Sequence, residues 1–201
     1  MNKTPNSSVR RMLLRALRVR VAGDIPLEEL LLKGRVVVAS NHVSFLDGVV
    51  VALASPVPLI FPVDTAFSQD AFFSRHFLSL LEWFGWGEVV PMDSAKPAAL
   101  KTLKRRLDAG ANVLIFPEGQ ISPDGQPRMS MPGTDWLVRK TGAKRIELQI
   151  DGAEKSLLFG KAGSQLWPSI TLTFSMKGRG GQSKVANQEQ HLERFLGTGQ
   201  P

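Results

Sequence analysis

The segment Asn41-His42-Val43-Ser44-Phe45-Leu46-Asp47 follows an imidazole closely with a carboxylate, and Phe116-Pro117-Glu118-Gly119 sets a second carboxylate on a glycine-containing turn much later in the chain. A carboxylate accepting a hydrogen bond from one ring nitrogen of His42 would fix its tautomer. The other nitrogen would then be free to take a proton from a hydroxyl or from water. With the second turn closing one pocket, these are the parts that acyl transfer to a hydroxyl requires. Both residues also have a structural reading. Ser44 and Asp47 have the spacing of a capping box, and a strand-end histidine can make a purely structural hydrogen bond. From these residues alone both readings stand.

The neighbouring sequence says how the two turns could meet. Arg35 to Ser40 is a β-branched run that predicts a buried strand ending at Asn41-His42, and an apolar helix follows to about Ala54. Asn112 to Phe116 predicts a second apolar strand, running into Pro117-Glu118-Gly119. Helices are predicted over Leu27 to Leu32, Ser68 to Phe84, Lys96 to Asp108, Pro132 to Lys140 and Asn187 to Phe195. Further strands are predicted over Pro58 to Val63, Glu88 to Met92, Arg145 to Ile150 and Ile170 to Phe174. Strands alternating with helices predict a single α/β domain with a largely parallel or mixed central sheet flanked by helices. Ligand sites in such sheets gather at the carboxyl ends of strands, where both turns fall.

Composition removes several classes of function. The 201 residues suffice for one domain with a substantial core. No window approaches the roughly 18 unbroken apolar residues of a membrane span. The apolar stretch near the N-terminus is broken by Arg15, Arg18 and Arg20, which argues against a secretory signal and places the protein on the cytoplasmic side. The absence of cysteine and the scatter of His42, His76 and His191 predict no metal site. Neither glycine-rich phosphate loop is present, so no nucleotide and no tightly held cofactor are expected. There is no Gly-x-Ser-x-Gly elbow for a serine esterase, although a hydrolase using water on the same base stays open.

The net charge of +7 concentrates in two places. Over residues 1–20, Val9, Met12, Leu13, Ala16 and Leu17 recur at helical spacing, with Arg10, Arg11, Arg15 and Arg18 among them. This predicts a basic amphipathic helix. It could lie in the headgroup plane of an anionic membrane, each basic residue adding about 1 kcal/mol, or it could pack its apolar stripe on the domain. Residues 177–201 hold a basic, glycine-rich loop, Lys177 to Lys184, before the final predicted helix. The domain proper then spans 21–176. On the aromatic helix, Phe72, Phe73 and Phe77 read as core. Trp83, Phe84 and Trp86 beside a glycine turn suggest an interfacial anchor. Nucleic acid is not an expected partner, because no aromatic-basic recognition motif accompanies the charge.

The two motifs together resemble those of the PlsC-type glycerolipid acyltransferases, over a stretch from about Val19 to Phe174. The resemblance implies that His42 is the general base, that Asp47 orients it, and that a lysophospholipid hydroxyl attacks an acyl-CoA or acyl carrier protein thioester without an acyl-enzyme. It implies that Asn41, Ser44, Glu118, Gly119 and Gln120 belong to the substrate pocket, with backbone N–H groups near one turn holding the oxyanion. It also implies a membrane lipid surface as partner, acyl carrier protein as a further one, and peripheral rather than spanning attachment.

The departures from the family pattern narrow the acceptor. Members acting on a phosphomonoester carry an arginine between the motifs and another just after the second. Met92 and Ile121 stand at those positions, and losing two guanidiniums removes the best bidentate donors for a dianion. Several segments, including Ile150-Asp151-Gly152-Ala153-Glu154, look more like the acyltransferase part of 2-acylglycerophosphoethanolamine acyltransferase/acyl carrier protein synthetases. The implied acceptor is a diester lysophospholipid such as lysophosphatidylethanolamine. No adenylate-forming domain fits in this length, so the donor is expected to arrive activated. Met92, Ile121 and Glu147, the last in a stretch usually apolar in the family, also admit a lipid-binding relative without turnover.

Overall fold

Every residue of strand β2 (Val36–Ser40) is buried, as a β-branched run must be when helices cover both faces of a sheet. The computed structural model describes residues 7–64, 82, 85–92, 97–122, 124 and 131–176. In chain order these form α1 (Ser7–Ala16), β1 (Val19–Gly23), α2 (Leu27–Lys33), β2, α3 (Asp47–Ala54), β3 (Leu59–Asp64), β4 (Gly87–Met92), α4 (Pro97–Asp108), β5 (Val113–Ile115), α5 (Gly133–Thr141), β6 (Lys144–Asp151), a 3₁₀ turn (Ala153–Lys155) and β7 (Ile170–Met176). The strands make one mixed sheet in the order β1-β7-β6-β2-β5-β3-β4. Only the β6–β7 pairing is antiparallel. The expected α/β domain is therefore present.

Side-chain alternation along β2 divides the core between the two faces. Val36 and Val38 join Leu114, Ile146, Leu148 and Ile150 beneath α1, α2 and α3. Val37 joins Val113, Leu103, Leu107, Trp136 and Leu137 beneath α4 and α5. Helix α3 has Val49, Val50, Val51, Ala52 and Leu53 all buried. It is therefore an internal helix, and its first turn is held in place.

The N-terminal segment differs from expectation. The helix stops at Ala16 because Arg18 takes a left-handed φ of 52°, and Val19 and Arg20 enter β1, paired with Ile170 and Thr171 of β7. Val9, Leu13, Leu14 and Leu17 pack against the core beneath this face. Most of the apolar stripe is thus occupied by the protein itself, with Met12 left 60% exposed. Of the predicted helix over Ser68 to Phe84 only Glu82, which is helical, is described, and the predicted helix over Asn187 to Phe195, the basic stretch Lys177 to Lys184, and His76 and His191 lie outside the described residues.

Candidate active site

Strands β2 and β5 are parallel neighbours, with Ala39 opposite Ile115, so the chain leaves both at the same edge of the sheet. Two turns distant in sequence are thereby brought side by side. The His42 ring stacks on Phe116 with centroids 4.1 Å apart and planes inclined by 16°. The Ser122 N–H donates to the His42 carbonyl at 2.7 Å, tying the second turn to the first.

Asp47 lies in the first turn of α3 and is fully buried, whereas the His42 side chain keeps 21% of its exposure. His42 Nδ1 is 2.9 Å from Asp47 Oδ2. The same oxygen accepts from the N–H groups of Val43 at 2.6 Å and Ser44 at 2.9 Å, and Oδ1 accepts from Ser44 Oγ at 2.7 Å. An ionised carboxylate only accepts, so Nδ1 is the nitrogen that carries the proton. Nε2 is then the basic nitrogen. The capping box is half formed: Asp47 reaches back to the Ser44 N–H, but Ser44 Oγ accepts from Leu46 rather than from Asp47. The structural and chemical readings of Asp47 are therefore one arrangement, in which the fold fixes the carboxylate that orients the imidazole.

Asn41 is a brace. Its Nδ2 donates to the Ile150 carbonyl at 2.9 Å and its Oδ1 accepts from the Ile150 N–H at 2.7 Å. The carboxamide thus continues the β2–β6 ladder one step past Ser40, which pairs with Leu148. Both ends of its carboxamide are engaged with backbone, so Asn41 ties the residue before His42 to β6. Ser44 is fully buried. Its hydroxyl is turned to Asp47, which also excludes it as an acyl-accepting nucleophile.

The second turn has Gly119 at φ 70°, closed by its N–H to the Phe116 carbonyl at 3.0 Å. A side chain there would be strained and would meet the Met131 methyl at 2.5 Å. Gln120 is exposed, and Glu118 is partly buried with Oε2 shut off from solvent. Ile121 is only 6% exposed. Met92, at the end of β4, is partly buried against the core beneath α4 and α5 and stands three strand positions from β2. At ordinary strand spacing that is roughly 14 Å across the sheet. Ile121 and Met92 are therefore both packed into the protein, and neither offers a cation. The N–H groups of Val43, Ser44, Phe45, Leu46, Asp47 and Gly119 are all engaged within the protein. They are spent as oxyanion donors.

Glu147 pairs with Arg145 at 2.7 Å, and Arg145 also pairs with Asp135 of α5. This departure is thus part of an ion-pair network. Of the expected membrane contacts, Trp86 is a core residue, 6% exposed, and Trp83 and Phe84 lie outside the described residues. Arg10 donates to the carbonyls of Leu53 and Ser55 at the C-terminal end of α3, and burial lowers its pKa from the ordinary value. It is a structural cap. Arg11, Arg15 and Arg18 are exposed, Arg18 with one nitrogen on the Trp167 carbonyl.

The sequence profile of the acyltransferase family matches residues 18–153, more than half of the chain and both turns of this site. The chain belongs to the acyltransferase family. Among family relatives, it is 28% identical over 135 residues to the chloroplastic 1-acyl-sn-glycerol-3-phosphate acyltransferase LPAT1 of Arabidopsis thaliana and 27% identical to the chloroplastic enzyme BAT2 of the same description from Brassica napus. Each match covers 63% of this chain, and 35% and 36% of the respective relatives, so the chain spans about a third of the curated relatives it matches. The fold is that of the 1-acyl-sn-glycerophosphate acyltransferase PlsC of Thermotoga maritima, with a TM-score of 0.57 and 18% identity over 98% of this chain and 82% of that one. Among the described residues no helix is long and apolar enough to cross a membrane.

Proposed function

We propose that this chain transfers a fatty acyl group from an acyl-CoA or acyl carrier protein thioester to a hydroxyl of a lysophospholipid, working from the cytoplasmic surface of a membrane. The observation that carries the reading is the buried Asp47 carboxylate, which leaves Nε2 of a partly exposed His42 as the basic nitrogen. Nε2 takes the acceptor hydroxyl proton as its oxygen attacks the thioester carbonyl. The tetrahedral intermediate then expels the thiolate, which recovers the proton from the imidazolium, giving an ester and a free thiol. With Ser44 turned away to Asp47, attack is direct and no acyl-enzyme forms. Oxyanion donors come from outside the six engaged N–H groups.

The preferred acceptor carries a diester phosphate, as in lysophosphatidylethanolamine. Packed, apolar Met92 and Ile121 support this, since neither can hold a terminal dianion. The names of the Arabidopsis and Brassica relatives favour a second acceptor, lysophosphatidate. Offering both lysolipids in mixed micelles, with each donor type, tests the choice: faster transfer to lysophosphatidylethanolamine is expected, and a preference for lysophosphatidate overturns it.

A further inference from the structure

Between the 3₁₀ turn and β7, the chain makes a loop whose neck is closed by backbone hydrogen bonds. Leu157 N–H donates to the Gln165 carbonyl at 2.7 Å, and Gln165 N–H donates to the Lys155 carbonyl at 2.9 Å. Inside it, Gly160 N–H donates to the Ser156 carbonyl at 2.9 Å, and a Cβ at Gly160 would lie 2.4 Å from the Glu154 carbonyl oxygen. The loop is thus a built element. Yet Leu157, Leu158, Leu166 and Trp167 are 54%, 59%, 65% and 49% exposed. Four large apolar side chains held outward on one short loop need an occupant.

The loop is coupled to the catalytic turn. Ser44 bridges to Gly160, and Phe45 N–H donates to the Phe159 carbonyl at 3.0 Å. It is also coupled to the basic segment, because Trp167 Nε1 donates to the Ala16 carbonyl at 2.6 Å and Arg18 donates to the Trp167 carbonyl. A shallow apolar groove lined by Leu17, Leu46, Phe159, Leu166 and Trp167 marks the seam. Charge around it is mainly positive, with Glu154 beside the neck the nearest carboxylate in the sequence. Residues 7–23 contain five arginines and no acidic residue, and residues 155–176 contain Lys155 and Lys161 and again no acidic residue. Arg11, Arg15, Arg18, Lys155 and Lys161 are all exposed.

We propose that this loop, with its cationic surround, docks the protein on an anionic lipid bilayer, inserting Leu157, Leu158, Leu166 and Trp167 beside the catalytic turn. Apolar tips ringed by cations complement acyl chains beneath anionic headgroups, and an indole at the rim suits the interface. With Val9, Leu13 and Leu17 of the α1 stripe packed on the core and Met12 left 60% exposed, the loop carries more exposed apolar side chains than α1, and Arg11 and Arg15 of α1 keep an electrostatic role. The choice of lipid as occupant rests on the acyltransferase reading, but the surface is tested without turnover.

The test is co-sedimentation of the full chain with phosphatidylcholine vesicles with and without phosphatidylglycerol, comparing wild type, Leu158→Glu/Leu166→Glu and His42→Ala. Removing two leucines from the bilayer should weaken binding to the phosphatidylglycerol vesicles by about tenfold or more. His42→Ala should bind as wild type, and added salt should weaken binding of both. Unchanged melting temperature and circular dichroism in the double variant would show that its fold is intact, and substituting Leu158→Ser/Leu166→Ser provides a milder pair with the same expected direction. Unaltered vesicle affinity in both pairs would overturn the proposal, as would a dimer in sedimentation velocity that either pair dissociates. Loop-dependent vesicle binding without any acyl transfer would uphold the surface while removing the enzymatic reading.

Discussion

Asn41 and Ile150 join the end of β2 to β6 through a reciprocal pair of hydrogen bonds, 2.9 Å and 2.7 Å, in which a side-chain carboxamide takes the place of a backbone rung. The residue next to His42 is thereby fixed by the sheet. A carboxylate cannot donate to the Ile150 carbonyl, so Asn41→Asp should destabilise the protein more than one lost hydrogen bond would, by about 1–3 kcal/mol. Urea unfolding would measure it, and an unchanged midpoint would contradict the bracing role.

At Asp47 the geometry separates orientation from charge. In Asp47→Asn, the amide oxygen can keep the Oδ2 position, where Val43, Ser44 and His42 donate, while the amide nitrogen meets Ser44 Oγ. The melting temperature should change little, and acyl transfer should fall between about tenfold and the roughly 100-fold expected for losing a general base. Asp47→Ala instead strands buried donors and should destabilise by several kcal/mol, at about 1–3 kcal/mol for each. Equal melting losses in the two variants would refute this separation.

Arg10 supplies a contrasting case, since its guanidinium caps α3 through the Leu53 and Ser55 carbonyls. Arg10→Ala should cost about 1.5–3 kcal/mol of stability, the range for a hydrogen bond to a charged group. Vesicle affinity of the folded variant should stay close to wild type. A large loss of binding with no change in stability would return Arg10 to the membrane face.

Reinstating an arginine at position 121 tests the apolar departure. Ile121 is 6% exposed, so Ile121→Arg must bury or extrude a charge at a cost of several kcal/mol. Lower thermal stability with no gain in lysophosphatidate use is expected. A stable variant with improved lysophosphatidate transfer would show that this position does face the acceptor phosphate.

The strand and helix pattern around His42 was legible because β2 and α3 are governed by local rules: a β-branched run, then an apolar helix closed by Ser55-Pro56. Adjacency of the two turns followed from their both ending strands. Contacts made through tertiary packing were not legible. Ser44 and Asn41 look like pocket residues in a motif, but their partners are Asp47 and the distant Ile150. Trp86 beside two glycines resembles an interfacial aromatic, and burial against the α3 face decides otherwise. The exposed loop did leave a trace, the apolar pairs Leu157-Leu158 and Leu166-Trp167 amid glycine, serine and lysine, which fit neither strand nor helix periodicity.

The most direct test of the central claim is acyl transfer by purified wild-type protein and His42→Ala, followed by release of free thiol from acyl-CoA and acyl-acyl carrier protein in the presence of a lysophospholipid. Loss of the Nε2 base should lower the rate by at least about 100-fold while the variant stays folded and bound to vesicles. A His42→Ala protein that transfers acyl groups at a near-normal rate would contradict the account.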